Sequence, residues 1–394
     1  MEYVYLDNNA TAPISPPVRE AIKNYMNNAG ANPMSPHAGG FAARKWLESA
    51  RLTVADAINA EDRQLFFTGS GTESNATALH TAVPLATDKR NVVVTSEIEH
   101  ASVLRNCDLL RHHGIEVRFL PVRHDGRIDT SHLEQFIDDR CLFVSVQFVN
   151  NETGVIQPVS EILSYAKAVG AFTHIDAAQA LGRVQVDVDS LEVDFMTITG
   201  HKIHAPSGIG ALYARRPAVV APLIVGGDQE SSLRAGTHNV IGAVGFGAAA
   251  TERFEHFYEH VSHLSDCRDR FEQTLKVNIP KVVVVGATAD RVCNTSNIVF
   301  PDIEDGQAFY ARLVDAGIAC SQSSACHSRR PEPSHVLSAM GYSEDESYRA
   351  IRFSFGVQNS HDQAMRAAEV IAEVWNATAH KPESVAEAFE GVHA

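Results

Sequence analysis

The chain is poor in cysteine for its size: Cys107, Cys141, Cys267, Cys293, Cys320 and Cys326 are scattered over 394 residues without regular spacing. That excludes the dense cross-linking of a small secreted scaffold and reads as reduced, mostly buried thiols. Long apolar runs are missing too, and the first residues, MEYVYLDNNATAP, have neither a basic start nor an apolar segment. A membrane span and a secretory leader are therefore not expected, and the protein is expected to be soluble and cytoplasmic. Positive charge is also short. With 33 Lys and Arg against 48 Asp and Glu, the net charge of -15 argues against a phosphate-backbone binder, so no direct nucleic-acid partner is expected. Internal repeats, low-complexity tracts and like-charge runs do not stand out.

What is present is ordinary globular material, 44% apolar and 21% charged, long enough for a large core and for two domains. Short β-branched runs at 65–67, 92–95, 117–120, 142–148, 172–175, 195–198 and 209–213 alternate with helical patterns at 17–29, 41–59, 73–85 and 159–169. Such alternation predicts an α/β domain with a mainly parallel sheet. A single long helical pattern over 242–275 follows, and beyond it the character changes. Strand patterns at 282–285, 297–300 and 350–355, with helical patterns at 306–316 and from 361 on, predict a smaller α+β domain onto which the N-terminus packs.

Open α/β sheets bind ligands beyond the carboxyl ends of their strands, and four turns there carry chemistry. In FFTGSGTESNA (66–76), Gly71 and Thr72 open a helix whose N–H groups can cradle a phosphate; the same residues also suit a plain helix cap. In SEIEHASV (96–103), His100 follows a strand and can stack on a flat ring or carry a proton, although most lone histidines do neither. In THIDAAQALG (173–182), Asp176 and Gln179 can hold a cationic ring nitrogen and its neighbour, or Asp176 can cap a helix. In MTITGHKIHAPSGIGALYAR (196–215), Lys202 lies between two strands, where a lysine is either a Schiff-base former or a solvated charge. Together the four describe what pyridoxal phosphate requires: an anion cradle, a stacking ring, a carboxylate for the ring nitrogen and an amine for the aldehyde.

The motifs YLDNNATAP, NPMSPHAGG, FTGSGTESN, EHASV, VNNETGVIQP, HIDAAQALG, TGHKIHAPSGIGALY, RAGTHN and SSACHSRRPEPSHVLSAMG occur in an order that closely resembles the class I (NifS/IscS-like) cysteine desulfurases. These are fold-type I pyridoxal phosphate enzymes of the class V aminotransferase family. The resemblance implies a large cofactor-binding α/β domain over 15–258 with a mainly parallel seven-stranded sheet. Residues 1–14 and 259–394 would form the small α+β domain, which carries a catalytic loop at about 320–333. It implies that Lys202 forms the Schiff base with pyridoxal 5'-phosphate, that Asp176 pairs with the ring nitrogen, and that Gln179 and Asn151 sit by the ring hydroxyl. His100 would stack on the ring and take part in proton transfer. The phosphate would be bound by Gly71, Thr72, Thr199 and His201, joined by Thr237 from the second subunit of a homodimer. Arg352 would clamp the carboxylate of L-cysteine, with Asn32 and Asn151 nearby.

For Cys326 the resemblance implies a nucleophile: its thiolate attacks the sulfur of the substrate cysteine, alanine leaves, and a persulfide remains for a sulfur-acceptor protein. His327, Arg329 and Arg330 supply the positive potential that favours a thiolate. Three other readings of Cys326 stay open on the residues alone. One is a metal site with Cys320 and His327, which lacks the usual ligand spacing; the second is a Cys320–Cys326 disulfide, transient in a reducing compartment; the third is an inert thiol. Ala177 stands where many family members have Thr, and Ser323 or Ser324 where they have Gly. Selenocysteine lyases and aminotransferases share the scaffold, and a non-catalytic binding scaffold is a further class. Iron–sulfur cluster assembly, tRNA thiolation and DNA phosphorothioation all draw on such enzymes, and no motif selects among them.

Overall fold

Seven strands build the central sheet of the computed structural model, which describes residues 3–322 and 332–379. Across the sheet they run Leu65–Thr68, Gly210–Ala214, Phe195–Thr199, Phe172–Asp176, Cys141–Gln147, Val92–Ser96 and Glu116–Leu120. Only Gly210–Ala214 runs antiparallel to its neighbours; the remaining contacts are parallel. The inner strands Val92–Ser96, Cys141–Gln147 and Phe195–Thr199 are buried along their whole length, which is why they read as continuous apolar runs and not as alternating ones. The order places the carboxyl ends of Phe172–Asp176 and Phe195–Thr199 side by side, with those of Val92–Ser96 and Leu65–Thr68 on the same edge.

A second, four-stranded antiparallel sheet runs Ser321–Gln322, Ala350–Ser354, Thr295–Val299, Val283–Val284. Val4–Tyr5 pairs with Ile318–Ala319, and Asp7 bridges to Ser354, so the first residues lie against this smaller sheet. A separate apolar cluster, including Phe271, Phe300, Phe309, Phe353 and Trp375, fills its core.

The helical pattern over 242–275 is not one helix. It breaks at His256 (φ -110°, ψ 22°) into Val240–Glu255 and Phe257–Asn278. The first half packs on Pro16–Asn28 and Ala38–Asp56, and the second on the final helix, His361–Ala379. One straight rod could not satisfy both, and the break reconciles the two packing surfaces. The 73–85 pattern likewise divides into Gly71–His80 and Ala82–Leu85. Pro84 has no N–H to give the His80 carbonyl and crowds it, so the first helix ends there. No helix among the described residues is long and apolar enough to cross a membrane.

Candidate active site

A cavity of about 410 Å³ opens at the carboxyl edge of the large sheet, between it and the smaller one. Its walls include Gly71, Thr72, His100, Asn151, Asp176, Gln179, Thr199, His201, Lys202 and Arg352. Ten of the thirteen residues expected at the site thus meet in one space. Cys326 lies outside the described residues, as do His327, Arg329 and Arg330. Asn32 and Thr237 do not line this cavity. They lie together, exposed, on the wall of another hollow with Tyr25, Met26 and Ile241.

The anion cradle comes from how the first turn of Gly71–His80 is capped. Ser70 Oγ accepts from the Glu73 N–H at 3.2 Å, which leaves the N–H groups of Gly71 and Thr72, at the positive end of the helix, facing a ligand space. The turn sits hard against the sheet. A Cβ on Gly210 would lie 2.6 Å from the Ser70 carbonyl carbon, so only glycine lets the neighbouring strand pass.

Lys202 rides on the short 3-10 turn Gly200–Ile203 that follows its strand. Its Nζ donates to the carbonyl of Asn9 and, at 2.7 Å, to that of Ala10. Burial, reinforced by the Arg352 and Arg183 charges, pulls its pKa down to about 7, so a large fraction is a neutral, nucleophilic amine at physiological pH. Burial and the adjoining Lys202 charge hold His201 down to about 4, so it is a neutral ring. Asp176 is buried; its Oδ2 accepts from Asn75 Nδ2 at 2.7 Å and its Oδ1 from the Ala178 N–H at 3.0 Å. No cation is bonded to it among the described residues. A carboxylate so oriented and so buried suits a protonated ring nitrogen.

His100 caps the Ala101–His112 helix: the Ser102 N–H donates to its Nδ1 at 3.1 Å. That hydrogen bond assigns the proton of the neutral ring to Nε2. Its pKa is lowered by desolvation within the concave site and by the charges of Lys202 and His335, against the opposing pull of Asp176. Arg352, on the Ala350–Ser354 strand, donates from Nη2 to Asp7 Oδ1 at 2.9 Å and from Nη1 to the Asn151 carbonyl at 3.2 Å. Its Nε is buried and has no hydrogen-bond partner among the described residues.

Several participants carried no signal of their own in the sequence. Asn75 aligns Asp176; Asn9 presents its carbonyl to both Lys202 and Gln179 Nε2, the latter at 3.0 Å. Asn75 belongs to the cradle motif and its place one turn into a helix, buried, was the available hint. Asn9 acts through backbone, which leaves no trace in residue type.

Glu99, next to His100, is fully buried; Ser96 Oγ donates to its Oε1 at 2.5 Å and its Oε2 has no hydrogen-bond partner among the described residues. Burial, with a smaller contribution from Asp176, pushes its pKa up to about 8, so the group is a neutral acid at pH 7. Because the folded chain holds this proton up to about pH 8 and the unfolded one releases it near pH 4.5, stability falls as pH rises across that window. A Glu99→Gln variant, isosteric with the neutral acid, should melt within about 3 °C of wild type at pH 6. It should also lose less of its melting temperature than wild type between pH 6 and pH 8.5. Equal losses in differential scanning calorimetry would show that Glu99 is not the group concerned.

Residues 4–366 match the aminotransferase class-V family, and the chain belongs to it. Within that family its curated relatives are cysteine desulfurases. The one from Nostoc sp. is 40% identical over 374 residues, spanning 95% of this chain and 93% of the relative. Among solved structures, a "NifS-like protein" superposes with a TM-score of 0.88 at 31% identity, covering 95% of this chain and 99% of that one. Another, described as "SspA in complex with cysteine", gives a TM-score of 0.79 at 31% identity over 89% of this chain and 98% of that one.

Proposed function

We propose that the chain is a pyridoxal phosphate-dependent cysteine desulfurase that moves the sulfur of L-cysteine to the Cys326 thiol, releases L-alanine and hands the sulfur to an acceptor protein. The observation that carries this reading is the meeting of Lys202, Asp176, His100, the Gly71–Thr72 turn and Arg352 around one cavity. A neutral amine, a buried carboxylate without a cation and an open helix N-terminus are complementary to an aldehyde, a pyridinium nitrogen and a phosphate respectively. Bound there, the cofactor supplies an electron sink for the pair released at the substrate α-carbon.

The chain's own residues do the remaining work. Thr72, Thr199 and His201 would add donors to the helix N-terminus for the phosphate, while Gln179 and Asn151 would hold the ring hydroxyl. His100 would stack on the ring, and its Nε2–H and the Lys202 amine would give and take protons at the substrate α-carbon. Arg352 orients the substrate through its carboxylate, exchanging its bond to Asp7 for one to the ligand. Cys326 takes the sulfur, and the resulting persulfide can serve iron–sulfur cluster assembly or thio-modification of nucleic acid alike.

A homodimer would account for where Asn32 and Thr237 lie. Both are exposed, and the hollow they share is flanked by Met26 and Ile241, apolar side chains left 62% and 44% exposed. Covering that face with a second copy would bury these side chains and carry Asn32 and Thr237 to the other subunit's cavity.

Replacing Arg352 with Lys tests the substrate assignment. Lysine keeps the charge and loses the planar fork, removing one charge-assisted hydrogen bond worth about 1.5–3 kcal/mol. The variant should lose about 10- to 150-fold in kcat/KM for L-cysteine, mostly through KM, with cofactor absorbance unchanged. Steady-state kinetics that show an unchanged KM would remove Arg352 from substrate binding.

A further inference from the structure

Away from this cavity, His263 and Cys267 lie four residues apart on the Phe257–Asn278 helix, so they share one face, and His361 opens the helix packed against it. Ligand atoms of the three lie within 4.8 Å of one another. Cys267 Sγ is 3.8 Å from His263 Nε2, and the His263 and His361 rings lie 5.0 Å apart between centroids, tilted by 36°. The Asn359 carbonyl completes the group, 2.8 Å from His263 Nε2 and 3.7 Å from Cys267 Sγ. His361 Nε2 is buried and has no hydrogen-bond partner among the described residues, a costly state for a ring nitrogen unless something is there to receive its lone pair or proton. Cys267 is fully buried, whereas both histidines reach the surface, which gives an ion a way in.

We propose that His263, Cys267 and His361 bind one transition-metal cation of the Zn2+ class, with the Asn359 carbonyl as fourth ligand. Two imidazoles and a thiolate select a borderline or soft cation; no carboxylate is among the ligands to favour Mg2+ or Ca2+. Zinc bonds of about 2.0–2.3 Å set tetrahedral edges of about 3.3–3.8 Å. The His263–Cys267 pair already has that spacing, and a side-chain rotation of about 1 Å brings His361 to it. On binding, the Cys267 thiol proton leaves to solvent, and His263 shifts its proton from Nε2 to Nδ1, freeing Nε2 for the metal. The ion joins the two long helices of the smaller domain. It also fixes the Gly356–Asn359 turn that follows the Arg352 strand, where the Gly356 N–H donates to Asn359 Oδ1 at 2.7 Å.

The test uses the full-length holoenzyme carrying Cys326→Ser, which removes the thiol that lies outside the described residues. Zn2+ alone is titrated against a chromophoric chelator, and Co2+ alone is followed by its visible d–d bands. The expected result is one equivalent per chain, tetrahedral Co2+ bands, and a melting temperature raised by Zn2+. Adding Cys267→Ser or His361→Gln should weaken Zn2+ by more than the ~10–100-fold that loss of an outer-sphere partner costs. Should Cys267→Ser fail to fold, His361→Gln decides alone, since it changes a half-exposed residue at a helix start. Zn2+ affinity unchanged in His361→Gln, or less than one equivalent bound by the parent, would overturn the proposal. Neither result touches the desulfurase reading, which concerns a different cavity.

Discussion

A Lys202→Ala variant should turn over L-cysteine at least about 10³-fold more slowly than wild type, because it removes both a covalent anchor and a general base. The expectation rests on where the amine sits. In water fewer than about 1 in 10³ lysines are neutral at pH 7. Burial beside Arg352 and Arg183 brings Lys202 down to about 7, so the neutral form is a major species there. The sign of this shift can be measured separately. In apoprotein, trapping of Lys202 with pyridoxal phosphate and borohydride should rise through pH 7 and level off above it, since the amine must shed its proton to attack an aldehyde. A midpoint near the value of a solvated lysine, or a Lys202→Ala protein within tenfold of wild type, would contradict the assignment.

Replacing Cys326 with Ser should leave cofactor absorbance and melting behaviour intact and reduce alanine formation to that of the Lys202→Ala protein. A hydroxyl is a far weaker nucleophile than a thiolate and cannot hold sulfane sulfur as a persulfide. The residues flanking this segment are tied to the substrate side of the cavity. Ser321 Oγ donates to Asp7 Oδ1 at 2.7 Å, the atom that also pairs with Arg352, and Ser334 Oγ donates to Glu152 Oε2 at 2.6 Å. Arg352 also takes the carbonyl of Asn151, the residue before Glu152. Alanine formation that survives in Cys326→Ser at more than a tenth of the wild-type rate would point to a lyase that does not use this thiol.

The central strands were legible because each is a buried β-branched run ending in a chemically loaded turn, as at Phe172–Asp176 and Phe195–Thr199. The break at His256 was not, since neither glycine nor proline marks it; it arises from two different packing surfaces. Site residues that act through a charged or aromatic side chain, such as Lys202, Asp176, His100 and Arg352, could be read from type and position. Those that act through backbone or through one another could not: Asn9 offers a carbonyl, and Asn75 touches Asp176 across 101 residues of chain. Asn32 sits apart from Arg352 and Asn151, with Thr237, and nothing in its own motif marked that separation. Glu99 was hidden for a different reason: its character as a neutral acid comes chiefly from burial.

The measurement that bears most directly on the desulfurase account is the yield of L-alanine and sulfide from L-cysteine, with a thiol reductant, by the purified holoenzyme. Equal molar amounts of the two products, with sulfane sulfur recovered on Cys326 when the reductant is withheld, are the predicted result. Holoenzyme that binds L-cysteine yet forms no alanine, or that forms pyruvate and ammonia in its place, would contradict it.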